Sequence, residues 1–129
     1  MQDSEVKEVL TVVERALKCA AFALDKKALD VKILEIKRIS SIADYLVLAS
    51  GRSDRQVQAI ADSVKMGLKP FDKPIDMEGV EEGRWIVIDY GDIIVHIFQE
   101  EVRALYNLDE LWGRAPQLEV PKEFHWETK

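Results

Sequence analysis

Cysteine occurs once in this chain, at position 19, so neither a disulfide nor a cysteine-based zinc site can form within it. Flanked by Lys18 and Ala20 on a predicted helix, Cys19 reads as a small buried hydrophobe. No apolar run approaches the roughly 20 residues that a membrane span needs. The opening Met1-Gln2-Asp3-Ser4-Glu5 lacks the basic-then-apolar order of a signal peptide, so the cytoplasm is the expected compartment. Basic charge is short as well: 18 lysines and arginines stand against 24 aspartates and glutamates, a formal charge of −6. That disfavours direct nucleic-acid binding, which rewards a cationic footprint, and suits a basic protein partner. What remains is 129 residues, 47% apolar and 33% charged, the profile of one folded domain with a single core.

The order of elements follows from periodicity. Ser4 can cap a helix without a capping box, because Lys7 rather than an acid stands three residues on. Val6, Val9, Leu10, Val13, Ala16, Leu17, Ala20, Ala21 and Leu24 then recur at helical spacing, with Lys26 and Lys27 in the last turn. Val31 to Ile36 alternates as a half-buried strand. Tyr45-Leu46-Val47-Leu48-Ala49 has no polar residue and reads as a central strand buried on both faces. Ser53 and Gln56 form a capping box for a second helix, which presents Val57, Ile60, Ala61, Val64 and Leu68 and ends at Pro70. Ile75-Asp76-Met77, behind Pro74, reads as a short edge strand.

Trp85 to Asp89 and Asp92 to Phe98 form a hairpin. A two-residue primed turn would need positive φ at Tyr90 as well as Gly91, so a longer loop stays open. A short helix starts near Glu100, with carboxylates at its positive end. Strands alternating with helices, plus a hairpin, predict an α/β (α+β) fold, a mixed β-sheet flanked by helices. The domain is expected over 1–113, followed by an extended tail at 114–129 that carries Pro116 and Pro121.

Catalytic chemistry is hard to find. His96 sits mid-strand among aliphatic residues, where a hydrogen-bonded sheet histidine is the preferred reading over a ligand or base. His125 reads as solvated, and no carboxylate stands at ligand spacing beside either histidine. Ser50-Gly51-Arg52-Ser53-Asp54-Arg55 joins a strand to a helix start and has the makings of an anion site. It lacks the lysine and spacing of a P-loop, and a plain capped helix is preferred. Asp89 and Asp92 resemble a metal-holding carboxylate pair, yet they flank a turn, where aspartate serves local hydrogen bonding. Trp85, Tyr106, Leu111 and Trp112 divide between core and interface, with Arg84 and Arg103 as nearby companions of the kind interfaces use.

Several segments, taken in order, resemble the ribosomal silencing factor family, the Iojap-related proteins. They are Ala43-Asp44-Tyr45 leading to Ala49-Ser50-Gly51, Ser53-Asp54-Arg55-Gln56-Val57, Glu78-Gly79, Gly83-Arg84-Trp85, Asp89-Tyr90-Gly91-Asp92, Val95-His96, Glu100-Glu101, and Tyr106-Asn107-Leu108 through Leu111-Trp112. The resemblance spans Val6 to Trp112. It implies a nucleotidyltransferase-like mixed sheet, a homodimer when free, and no catalysis or cofactor. It also implies binding to large-subunit ribosomal protein fourteen at the intersubunit face, which blocks joining of the small subunit, with a role in large-subunit assembly among organellar relatives. A metal-dependent nucleotidyltransferase is the alternative, although Ser50-Gly51 and Asp89/Asp92 depart from that superfamily's order and spacing. The surplus aliphatic residues of the first helix also favour an isologous dimer. Arg84, Trp85, Tyr90, Glu100, Glu101, Tyr106, Leu108, Leu111 and Trp112 are the expected partner-binding residues: an aromatic centre with an acidic rim.

Overall fold

A computed structural model of the chain describes residues 10–125. The elements run α1 (Val12–Asp25), β1 (Leu29–Glu35), β2 (Tyr45–Gly51), α2 (Asp54–Leu68), β3 (Asp76–Glu78), β4 (Trp85–Asp89), β5 (Ile93–Gln99), α3 (Glu100–Tyr106), α4 (Leu108–Leu111) and β6 (Gln117–Leu118), with a 3-10 turn at Lys122–Phe124. The described residues form one six-stranded sheet in the order β3-β4-β5-β2-β1-β6. Only β2 and β5 pair in parallel, Tyr45 opposite Ile93 through Gly51 opposite Gln99. The described residues thus form a mixed sheet flanked by helices, as the alternation of elements predicts, and the four-residue α4 is one helix more than the three expected.

All seven residues of β2 are buried, which places the apolar run in the sheet interior with a strand on either side. Its alternate residues feed two cores. Tyr45, Val47 and Ala49 join Ile33, Ile86, Ile88, Val95 and Ile97 beneath α1 and α2. Leu46 and Leu48 join Leu34, Ile36, Phe98 and Val102 on the other face. Strand β1 likewise buries Ile33 on one face and Leu34 on the other, so it is more fully covered than the half-buried strand expected. Truncating a fully buried aliphatic residue in such a core costs about 2–5 kcal/mol.

The helix ends differ from expectation in instructive ways. The expected Ser4 cap lies outside the described residues. Helix α1 starts instead behind Thr11, whose hydroxyl accepts from the Glu14 N–H while the Glu14 carboxylate accepts from the Thr11 N–H. This capping box satisfies two otherwise orphaned donors. Lys26 and Lys27 follow the helix rather than occupying its last turn, and Lys27 takes a φ of 62°. At α2, Ser53 accepts from the Gln56 N–H as expected. Gln56 Oε1, however, accepts from Arg52 N–H at 2.7 Å, while its Nε2 donates to the Lys26 and Lys27 carbonyls. One side chain therefore closes the start of α2 and the end of α1 together.

The hairpin turn centres on Gly91 and Asp92, closed by a Tyr90 N–H to Ile93 carbonyl bond of 2.8 Å. Gly91 has positive φ and Tyr90 does not. After Gly113 the chain returns to the sheet: the Glu35 N–H donates to the Pro116 carbonyl, Leu118 lies opposite Ile33, and Ala115 and Val120 are buried. What reads in sequence as an extended tail supplies the last strand.

Gly79 has a φ of +82°, and a Cβ there would lie 2.0 Å from the Trp85 carbonyl oxygen. Both strain and collision oppose any side chain. Gly79→Ala is expected to destabilise the fold by about 3 kcal/mol, read as a lowered urea midpoint.

Candidate functional site

The two faces of the sheet are covered unequally. Helices α1 and α2 lie on one. On the other, α3, α4 and the chain leading to β6 cover β1 and β2, where Leu34, Ile36, Leu46, Leu48, Phe98, Val102 and Ala115 are buried. Beyond Phe98 the covering thins. Period-two alternation sends Trp85, Val87 and Asp89 of β4 and Ile94 and His96 of β5 to this face, and all five keep partial exposure. Along the sheet edge, Asp76 and Glu78 of β3 pair with Asp89 and Val87 and stand in solvent.

An aromatic cluster occupies the boundary between the covered and open halves. The Trp85 ring lies 4.8 Å from Tyr106, 5.1 Å from Phe98 and 5.9 Å from His96, centroid to centroid. These are ordinary distances for tilted and edge-on contacts. The Trp85 Nε1–H donates to His96 Nδ1 at 3.0 Å. Tyr106, Leu105 and Leu111 project from the short helices with 56%, 73% and 70% of their surfaces exposed. Leu108 and Trp112 pack partly buried against the core of this face. Arg84, Glu100 and Glu101 are exposed.

Of the residues singled out in sequence, Trp85, Tyr106, Leu108 and Trp112 thus belong to one apolar region. Tyr90 does not join them. It is 5% exposed within the helix-covered core, and its hydroxyl has no hydrogen-bond partner among the described residues. Burial raises the phenol well above its ordinary pKa. Val87, Ile94 and the edge carboxylates Asp76, Glu78 and Asp89 also stand on the open face, and the sequence reading does not place them in the site. The alternation in Trp85-Ile86-Val87-Ile88-Asp89 is the signal that could have found them.

Arg103 is no interface companion either. It is buried, donating to the Asp30 carbonyl at 2.6 Å, to Ser50 Oγ at 2.9 Å and through two nitrogens to Asp109. Lys32 also donates to Asp109. The hydrogen bond from Arg103, offset in part by burial and aided by Lys32, holds the Asp109 carboxyl far below the usual carboxylate range. This cluster clamps α3 and α4 to β1 and β2.

The other chemical candidates resolve into local structure. Asp89 Oδ1 accepts from the Gly91 N–H, while Asp92 is bound by the Arg15 guanidinium, which also reaches Asp72 at 2.7 Å. Asp89 lies on the open face and Asp92 serves α1, so the two carboxylates do not share a site. At the start of α2, the N–H groups of Arg52, Arg55 and Gln56 are taken by Gln56, Asp54 and Ser53 side chains; this is a capped helix with those three donors occupied. His125 is partly buried rather than solvated, its Nε2 lying 3.3 Å from the Val120 carbonyl. Among the described residues no group of three or more His, Cys, Asp or Glu side chains is placed to hold a metal, and no helix is long and apolar enough to cross a membrane.

A family model described as "Ribosomal silencing factor during starvation" matches residues 9–129. A "Ribosomal silencing factor RsfS" of Bacillus subtilis is 45% identical over 102 residues, covering 78% of this chain and 86% of that protein. The chloroplastic "Protein Iojap" of Zea mays is 32% identical over 82% of this chain and 46% of its own length. Among solved structures, a crystal structure of a Chromobacterium violaceum protein aligns with a TM-score of 0.79 at 32% identity, covering 81% of this chain and 88% of that one.

Burial lowers the His96 imidazole from 6.5 to about 4. The unfolded chain therefore takes up a proton below pH 6.5 that the folded chain refuses. The stabilisation from a neutral His96 is complete above the unfolded value and is lost as the pH falls toward the folded one. Across that window the protein should lose on the order of 3 kcal/mol more than a His96→Phe variant does, measured by urea unfolding of both at a series of pH values.

Proposed function

The chain belongs to the ribosomal silencing factor family, and we propose that it is a translational repressor without catalytic activity. In this reading it binds the large ribosomal subunit through ribosomal protein fourteen at the intersubunit face and so blocks joining of the small subunit. A role in large-subunit biogenesis, action in the cytoplasm and a homodimeric free state belong to the same proposal.

The observation that carries it is the half-open sheet face. Trp85, Val87, Ile94 and Tyr106 form an apolar centre, Asp76, Glu78 and Asp89 supply carboxylates along its edge, and Glu100 and Glu101 are exposed at the start of α3. An apolar, aromatic centre with a charged rim is the usual anatomy of a protein interface. The acidic rim on a chain of net charge −6 complements a basic ribosomal protein, speeding encounter and orienting it. Steric occupation then needs no chemistry: a domain lying between two subunits prevents their contact.

Sedimentation of purified large and small subunits with and without the protein tests this directly. Free subunits should accumulate as protein is added, and unchanged joining at saturation overturns the proposal. Trp85→Ala should weaken binding to the large subunit by about 2 kcal/mol or more, roughly thirtyfold, while keeping a cooperative thermal transition. Glu101→Lys should cost less and act mainly on the association rate, with an effect that fades as salt is raised. Static light scattering at high micromolar concentration checks the dimer, which a monomer mass would exclude.

A further inference from the structure

Trp85 has a single polar atom, the indole Nε1–H, and an indole can only donate. Its acceptor is His96 Nδ1, 3.0 Å away on the neighbouring strand. In the register of the hairpin, Trp85 stands opposite Phe98 and His96 opposite Val87, so the two rings are diagonal neighbours on one face, within reach for long side chains. Both rings rest on Phe98, with centroids 5.1 Å from it for the indole and 5.8 Å for the imidazole. The imidazole stacks on Phe98 with planes 13° apart, and the indole leans on Tyr106 at 4.8 Å. A histidine that accepts through Nδ1 while neutral carries its proton on Nε2, so this bond fixes its tautomer as well.

We propose that His96 is a positioning residue for partner binding: its Nδ1 fixes the plane of the Trp85 indole against Tyr106, so that the anchor meets the partner already in its bound orientation. The inference rests on the reading of this face as the partner surface. An anchor ordered in advance loses less freedom on binding. Trp85 keeps part of its surface in solvent, so the bond orders a ring that is not sealed in the core.

Two substitutions separate positioning from bulk. His96→Phe keeps a ring on Phe98 but removes the acceptor; His96→Asn supplies a carbonyl oxygen close to where Nδ1 stood. The readouts are the Trp85 indole resonance in a ¹H–¹⁵N spectrum, assigned by its loss in Trp85→Phe, and affinity for purified large ribosomal subunits. The Phe variant should shift the indole resonance upfield and weaken binding about tenfold, the scale of one hydrogen bond. The Asn variant should restore most of both. An unshifted resonance or undiminished affinity in His96→Phe, with Trp85→Ala still weakened, overturns this inference alone. An Asn variant as weak as the Phe variant does so as well, since the imidazole itself would then be the contact. Undiminished binding by Trp85→Ala overturns the partner reading of the face and this inference with it.

Discussion

A sheet of six strands has two faces to hide from water, and among the described residues only two helices are long enough to hide one of them. Helices α1 and α2, 14 and 15 residues long, lie together on the same side, where Ile33, Val47, Ile86, Ile88, Val95 and Ile97 are sealed. The other side receives seven- and four-residue helices, which suffice for β1 and β2 and leave β4 and β5 partly open. Apolar side chains left half-covered on a sheet are what make this face the one on which the proposed partner docks. The partner surface proposed above follows from this shortfall of helix rather than from any added element.

Because α3 and α4 are too short to be stable in isolation, tertiary contacts must hold them. Their anchor is polar: Arg103, buried, ties α3 to Ser50 on β2, to Asp30 ahead of β1's regular pairing and to Asp109 on α4. Such a buried cation is tolerable only when fully partnered, and here its donors are met by a carboxylate, a carbonyl and a hydroxyl. The left-handed Asn107, φ 51°, breaks the helix so that Asp109 can turn back onto Arg103. A matching device on the opposite face, Arg15 with Asp72 and Asp92, ties α1 to the hairpin turn. The hairpin that carries Trp85 is thereby held at its far end.

Within that frame, the aromatic cluster divides its work by depth. Phe98 is sealed in the core, Trp85 and His96 are half-buried above it, and Tyr106 is largely in solvent. Stacked ring on ring, they carry rigidity from the core outward to a surface that stays apolar and uncharged at neutral pH, since burial keeps His96 in its neutral form. The carboxylates remain at the edges, where water still solvates them. The proposed partner would meet an apolar middle that is cheap to desolvate and charges that need not be buried.

The sequence by itself determined a good deal. The run Tyr45 to Ala49 could only be an interior strand, the spacing from Val57 to Leu68 could only be a helix with one buried stripe, and the ordered motifs from Ala43 to Trp112 carried the family. It also brought Trp85 and Tyr106 under suspicion together. These are features written in local periodicity or in the order of residues, and both survive without coordinates. Tertiary structure alone decided the rest. Tyr90, adjacent in sequence to the hairpin's other candidates, follows Ile86 and Ile88 to the opposite face and is sealed there in the core beneath α1 and α2. Arg103, an arginine beside aromatics, was drawn inward by Asp30, Ser50 and Asp109, up to 73 residues away in the chain. The segment after Gly113 became a strand because β1 had a free edge. In each case the deciding energy comes from a partner distant in sequence, and no local pattern records which partner a side chain will find.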